Sequence, residues 1–296
     1  MSGADRPSRH PVRRIDLHAH STASDGTLSP AELVGAAAAT GLDVLAITDH
    51  DTTAGWAEAV AALPPGLDLV RGAELSCHWS GTRPATSLHL LAYLFDPTEP
   101  ELVAQLRRVR AARERRGERI VALLRADGHD IRWSEVLAGA AGGAVGRPHI
   151  AQALIRAGLV GSTTEAFEPD WLGERYRLAK EDIDVFRAVA LVRRAGGVAV
   201  FAHPRATRRG RVVPDRLIGD LAEAGLAGLE ADHEDHSPAE REHVRALAGR
   251  LGLFVTGSSD FHGSHKSVAL GAFGTAEPAY QRLLAAASGV TGVASG

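Results

Sequence analysis

A single cysteine, Cys77, leaves no partner for an internal disulfide and fits a reducing compartment. Methionine also occurs once, and aromatic residues make up only 5% of the 296-residue chain. No apolar run reaches the roughly 18 residues that a membrane-spanning helix needs. Residues 1–14 are polar and rich in Arg and Pro, without the apolar stretch of a secretory signal. A large excess of one charge is missing too: the net charge is −3, which argues against general electrostatic binding of duplex DNA. These absences predict a cytoplasmic protein with no membrane attachment and no evident obligate protein partner.

What remains is a chain that is 45% hydrophobic, enough for a sizeable core. Its charge is uneven. Residues 101–180 carry a net +4 and the remainder −7, so a basic segment is set into an acidic frame. Strand-like runs occur at 13–18, 43–48, 67–75, 87–95, 196–203, 226–232 and 251–259. Helical patterns separate most of them, and two begin with the same device, Ser29-Pro30-Ala31-Glu32 and Ser237-Pro238-Ala239-Glu240. Each reads as a capping box with proline in the first turn. The near-continuous apolar strands argue for a parallel α/β architecture. About seven such units predict a closed or nearly closed barrel.

The alternation breaks over 98–182. Leu102, Leu106, Val109, Ile120, Leu123 and Leu124 recur at helical spacing, and GRPHIAQALIRAGLV (146–160) forms a second helical pattern. The division expected is a barrel of residues 13–97 and 183–287, a helical insertion lobe over 98–182, and disordered tails at 1–12 and 288–296. The run RRVRAARERRGER (107–119) is open to two readings: a basic surface for an RNA backbone, or a solvated helix face.

The chemistry-bearing residues cluster at strand ends. IDLHAHSTASDGT (15–27) places His18 and His20 two apart, on one face of a strand, with Asp25 just beyond. The pattern repeats along the chain with His50 and its flanking aspartates, Glu74, His89, His203, and the pair Asp260 and His262. Histidine and carboxylate together suit manganese, zinc or iron. The C-terminal strand ends are where a parallel barrel builds its active site.

HAHSTASDGT, ITDHDT, GAELS, HLLAYLFD, FAHP and SSDFHG, in that order, resemble the motifs of the PHP (polymerase and histidinol phosphatase) family. More narrowly, they resemble its TrpH-like branch of metal-dependent phosphoesterases, as do GRPHIAQAL and LEADHEDHSPAE. The resemblance implies a distorted (β/α)7, TIM-like barrel holding two or three divalent ions, manganese first among them. It assigns His18, His20, Glu74 and Asp260 to a first ion. Glu74, as a bridge, with His89 and His203 would hold a second, and Asp25, His50 and His262 a third. Asp25 stands where other branches of the family carry histidine. The implied activity is hydrolysis of phosphate esters, with 3′,5′-bisphosphonucleotides or the 5′ ends of short RNA as substrates.

Two metal ions suit phosphate-ester hydrolysis, because they turn a bridging water into hydroxide near neutral pH and neutralise the phosphoryl oxygens. In that scheme Glu74 bridges, Asp260 accepts a proton, and the third ion, or His262 beside it, steadies the leaving oxygen. Arg147 and His149, at the start of a predicted helix, are the first candidates for a second anion clamp. Arg205 and His236 are further candidates. Two other function classes stay open: a phosphatase of another small metabolite such as histidinol phosphate, and a non-catalytic module that has kept the barrel.

Overall fold

A computed structural model describes residues 13–140 and 143–296; the tail expected at 1–12 lies outside them. The strands are β1 Ile15–Ala19, β2 Val44–Ile47, β3 Asp68–Trp79, β4 Thr86–Tyr93, β5 Ile183–Asp184, β6 Val198–Phe201, β7 Gly228–Asp232, β8 Phe254–Gly257 and β9 Ala294–Ser295. The helices that precede the insertion are α1 Pro30–Ala39 and α2 Trp56–Ala61. The insertion itself carries α3 Pro100–Ala126, α4 Trp133–Ala140, α5 Arg147–Arg156 and α6 Thr163–Ala166. After it come α7 Val185–Arg194, α8 Asp215–Ala224, α9 Pro238–Leu251 and α10 Glu277–Ala286.

Seven strands pair in the order β1-β2-β3-β4-β6-β7-β8. Phe261, just past β8, bridges back to Ala19 at the end of β1, where the His20 amide donates to the Phe261 carbonyl at 2.9 Å. The sheet is therefore a nearly closed, distorted barrel. Its two faces follow the period of two. On β2, Leu45 and Ile47 pack under the layer that contains α1, α7, α8 and α9, while Val44 and Ala46 join the cluster on the opposite face with Tyr93 and Tyr280. Helix starts follow local chemistry. Ser29 and Ser237 each accept from the amide three residues on, and Glu32 and Glu240 return the bond to the cap amide.

One strand departs from the parallel expectation. β4 runs antiparallel to both β3 and β6. The short connection from β3 to β4 makes a hairpin and has no room for a crossover helix. An apolar run buried on both faces does not reveal this direction in sequence. The end of the chain also differs from the disordered tail expected over 288–296, because Ala294 and Ser295 pair antiparallel with Leu69 and Asp68. The cause is the length of β3, whose pairing with β4 starts only at Gly72, opposite Tyr93 where β4 ends, and leaves the edge before Gly72 open.

The segment 98–182 has its own apolar cluster, built from Ile120, Leu124, Val136, Ile150, Leu154 and Leu172 among others. Helix α3 belongs to two cores. Leu102, Leu106 and Val109 pack on the barrel, Ile120 and Leu124 pack in the insertion, and Leu123 faces solvent. Between these halves, Arg113 pairs with Asp51 through Nε at 2.9 Å, and Arg110 donates to the Asp51 carbonyl. The basic run of α3 thus presents two arginines to the barrel, an arrangement neither reading of that run anticipated. No helix among the described residues is long and apolar enough to cross a membrane.

Candidate metal centre

The ends of β1, β2, β6 and β8 converge on Glu74, near the middle of β3. Three of these turns put a non-glycine residue in the left-handed region: Asp51 (φ 54°), His203 (φ 33°) and Asp260 (φ 52°). Such conformations cost energy and are held only where the surroundings over-determine them. At Asp51 the holding contacts are visible, since its carboxylate accepts from both the amide and the hydroxyl of Ser76.

Glu74, 1% exposed, divides its two carboxylate oxygens. Oε2 lies 3.3, 3.2 and 3.2 Å from ring nitrogens of His18, His20 and His50. Oε1 lies 2.8 Å from His89 Nδ1 and 3.1 Å from His203 Nε2. Asp260 Oδ1 completes the first side at 3.2 and 3.3 Å from His18 and His20. A third set forms around Asp25, with His262 Nε2 at 3.4 Å, His20 Nδ1 at 3.7 Å and His50 Nε2 at 3.8 Å. All nine ligand-type residues expected from the sequence therefore meet in one region. His89 sits inside its strand rather than at its C-terminal end because β4 runs the other way.

The donor set fits divalent cations. His18 Nδ1 faces Glu230 at 3.1 Å, and His262 Nδ1 donates to the Asp260 carbonyl at 2.8 Å. Each arrangement leaves Nε2 with a lone pair aimed into the cluster. His18 Nε2 and His20 Nε2 face each other at 3.1 Å, a contact that a shared proton or a cation beside them satisfies. Asp25 Oδ1, His50 Nδ1, His89 Nδ1 and Asp260 Oδ1 are buried with no hydrogen-bond partner among the described residues. Unpartnered buried polar atoms are costly, and here they converge as ligands do.

Charge divides the histidines. Burial works against the charged form of His18 and His20, but the carboxylates of Asp260 and Glu74 outweigh it and raise both, His20 to about 9. Burial prevails elsewhere. His203 is pushed down to about 3, helped by Arg209, and His262 to about 4, helped by His20 and Lys266. Burial opposes ionisation of Asp260, yet Lys266, His18 and Arg209 hold its carboxyl well below the usual range. Asp260 is thus held as an anion in the metal-free chain.

A second layer holds the ligands. Glu230 is fully buried on β7 and takes the hydroxyl of Ser258 at 2.7 Å and the His203 amide at 2.8 Å, besides facing His18. Asp260 Oδ2 accepts from Lys266 at 2.6 Å and Arg209 at 2.6 Å, and lies 3.2 Å from His233 Nε2. Asp49 fixes the loop after β1 through Ser21 and Ser24. Sequence reasoning missed Glu230, Arg209 and Lys266. The one available signal was an acidic residue inside the apolar run LAGLEAD.

Beside His89 and His203 opens a cavity of about 480 Å³. Arg147, Arg177, Lys180, Arg208, Arg209 and Arg211 line it, and among the described residues its walls include no Asp or Glu. The cations crowd one another. Burial, followed by Arg116 and Arg177, lowers Arg147 to about 10. Burial lowers Lys180 to about 8 against the pull of Asp182. The other expected anion-binding residues are placed differently. His149 caps its helix, its Nδ1 accepting from the Gly146 amide at 3.0 Å. Arg205 turns away to the Val213 carbonyl and Asp215. His236 has both ring nitrogens occupied, Nε2 accepting from the Arg205 amide and Nδ1 donating to the Ala231 carbonyl.

The fold and this centre define a barrel that carries a buried histidine–carboxylate site for divalent cations, with a cationic cavity at its edge. The PHP domain family matches residues 16–115. A 5′-3′ exoribonuclease from Haemophilus influenzae is 37% identical over 255 residues, covering 85% of this chain and 90% of that one. A 3′,5′-nucleoside bisphosphate phosphatase from Chromobacterium violaceum is 34% identical over 268 residues, covering 85% and 88%. The crystal structure of a Bifidobacterium adolescentis chain, described as a candidate metal-dependent phosphoesterase, superposes with a TM-score of 0.87 at 35% identity, over 95% of this chain and 98% of that one. The chain belongs to the PHP family.

Proposed function

We propose that the chain is a metal-dependent phosphoesterase acting on phosphorylated nucleotides. Its substrate would be the 3′-phosphate of a 3′,5′-bisphosphonucleotide or the 5′ end of a short RNA. The observation that carries this reading is the split of Glu74, one oxygen to each group of histidines, directly beside a cavity walled by cations. The names borne by the two curated relatives support the nucleotide class.

His18, His20 and Asp260 with Glu74 would hold one ion, His89 and His203 with Glu74 a second, and Asp25, His50 and His262 a third. Manganese suits this mixture of imidazole and carboxylate, with zinc and iron as alternatives. Bound divalent ions supply charge neutralisation at the phosphoryl oxygens and an acidified water. The chain's own residues supply position. Glu230 orients His18, and Lys266 keeps Asp260 ionised. In the cavity Arg147 offers a fork suited to phosphate. The mutual crowding of these cations is relieved when a polyanion enters. A reducing, cytoplasmic setting belongs to the same proposal, since the one cysteine is buried and unpaired.

The test is phosphate release from 3′,5′-bisphosphoadenosine by manganese-loaded protein, beside histidinol phosphate and a short 5′-phosphorylated RNA. Release from the bisphosphate or product from the RNA is expected. Turnover of histidinol phosphate alone would overturn the nucleotide assignment and leave the metal centre standing.

A further inference from the structure

Arg209 is the cavity cation that touches the metal centre, through Asp260 and His203. It leaves the turn Thr207–Arg209 and extends back between three strand ends. Its Nη2 donates to Asp260 Oδ2 at 2.6 Å, its Nε to Asp235 Oδ2 at 2.5 Å, and its Nη1 lies 3.1 Å from His203 Nε2.

The last contact conflicts with another. His203 Nε2 is also 3.1 Å from Glu74 Oε1. A neutral imidazole nitrogen either donates or accepts. If Nε2 accepts from Arg209, it presents a lone pair to the Glu74 carboxylate; if it donates to Glu74, it presents a proton to the guanidinium. A divalent ion joining His203 Nε2 to Glu74 Oε1 removes the conflict, but it uses the lone pair that Arg209 would need. The ion also repels the guanidinium. Arg209 has somewhere to go, because it already lines the cavity. Gly210 beside it takes φ 128°, a conformation open to glycine, and a Cβ there would meet open space among the described residues. Asp260 keeps Lys266 and His233 when Arg209 leaves.

We propose that Arg209 and a divalent ion compete for His203, and that filling the Glu74–His89–His203 position releases Arg209 into the cavity as a donor to the substrate's phosphate. Metal loading thereby raises the affinity of the cavity for anions through this chain's own arginine. The inference rests on the metal-centre reading given above.

The test is equilibrium binding on the full chain stripped of metal, with Mn²⁺ as first probe and inorganic phosphate on the Mn²⁺-loaded protein as second. Arg209→Gln is expected to bind the most weakly held Mn²⁺ ~10-fold more tightly, the size of a lost charge-assisted hydrogen bond. Its phosphate affinity when loaded should fall by a similar factor. Asp235→Asn loosens Arg209 without removing it, so it should tighten Mn²⁺ and leave phosphate binding unchanged. Unchanged Mn²⁺ affinity in Arg209→Gln overturns the competition. Tighter Mn²⁺ with unchanged phosphate affinity overturns the release into the cavity. A wild-type chain that binds no Mn²⁺ overturns the proposed function and this inference with it.

Discussion

Nine ligand-type side chains of the metal centre stand on short stems, backed by buried carboxylates and serines, whereas the adjoining cavity is walled by six long cationic side chains from three separate segments. In the first region each imidazole has its far nitrogen or its backbone tied down, as Glu230 ties His18 and the Asp260 carbonyl ties His262. In the second, Arg147 is held, among the described residues, by the Leu172 carbonyl at 3.0 Å and the face of Phe167. The difference teaches where precision is needed. Reacting atoms must be placed to fractions of an ångström, while a polyanion needs density of charge and tolerates movement. Changes in the first region should therefore act on turnover and metal, and changes in the second on substrate affinity.

The most damaging single change is expected at Asp260. Its Oδ1 faces two histidines and its Oδ2 accepts from two cations. Asp260→Asn removes the charge those partners share and should lower kcat by ~10³-fold, the scale of a lost electrostatic contact at reacting atoms. KM should change far less. Steady-state kinetics decide this, and an unchanged kcat would remove Asp260 from the reaction. Next comes Glu230→Gln, which replaces no ligand yet frees His18. It should weaken metal binding ~10- to 100-fold in a calorimetric titration, with the fold intact by circular dichroism. An effect smaller than that of a cavity arginine would break the contrast between the two regions.

Proton release sharpens it further. Without metal, His20 titrates near 9, well above its usual 6.5, so it carries a proton at pH 7. That proton must leave before His20 can ligate. Metal binding at pH 7 should therefore release protons, and affinity should climb with pH through about 9, where the His20 contribution is spent. Titrations in buffers of different ionisation enthalpy measure the release. The sign for stability is opposite. The raised His20 favours the metal-free fold fully below pH 6.5, and that contribution is lost as pH rises through about 9. In the cavity, Arg147→Gln should raise KM ~10-fold and spare kcat, because it removes binding shared by ground and transition states. A loss concentrated in kcat would place Arg147 at the reacting phosphate instead.

The legibility of the two regions in sequence follows the same division. Ligands on strands obey a period of two and fall at strand ends, so His18 with His20 and Asp260 with His262 could be read together before any coordinates. Glu230 could not be paired with His18, since nothing local brings residue 230 to residue 18. The direction of β4 was hidden because a strand buried on both faces carries no mark of its neighbours' polarity. The pairing of Ala294 and Ser295 was hidden because it depends on where β4 stops. The cavity was the least legible part. RATRRGR (205–211) offers four arginines, and only the course of the turn decides which of them face inward.

Arg147 and Arg205 form the sharpest pair, because sequence put both forward for the same task. Arg205 instead gives its guanidinium to the Val213 carbonyl and to Asp215 at the start of α8, and it is nearly buried. Its role follows from those partners: it ties the loop after β6 to the next helix. Arg205→Gln should cost about 1–2 kcal/mol of stability, the range for a lost hydrogen bond to a charged group discounted for the half-exposed Asp215. A thermal melt reads that loss. KM for the substrate should move less than twofold, since the side chain does not line the cavity. A rise in KM matching that of Arg147→Gln, with no change in Tm, would show that the loop turns over on binding and that the sequence reading of Arg205 was the better one.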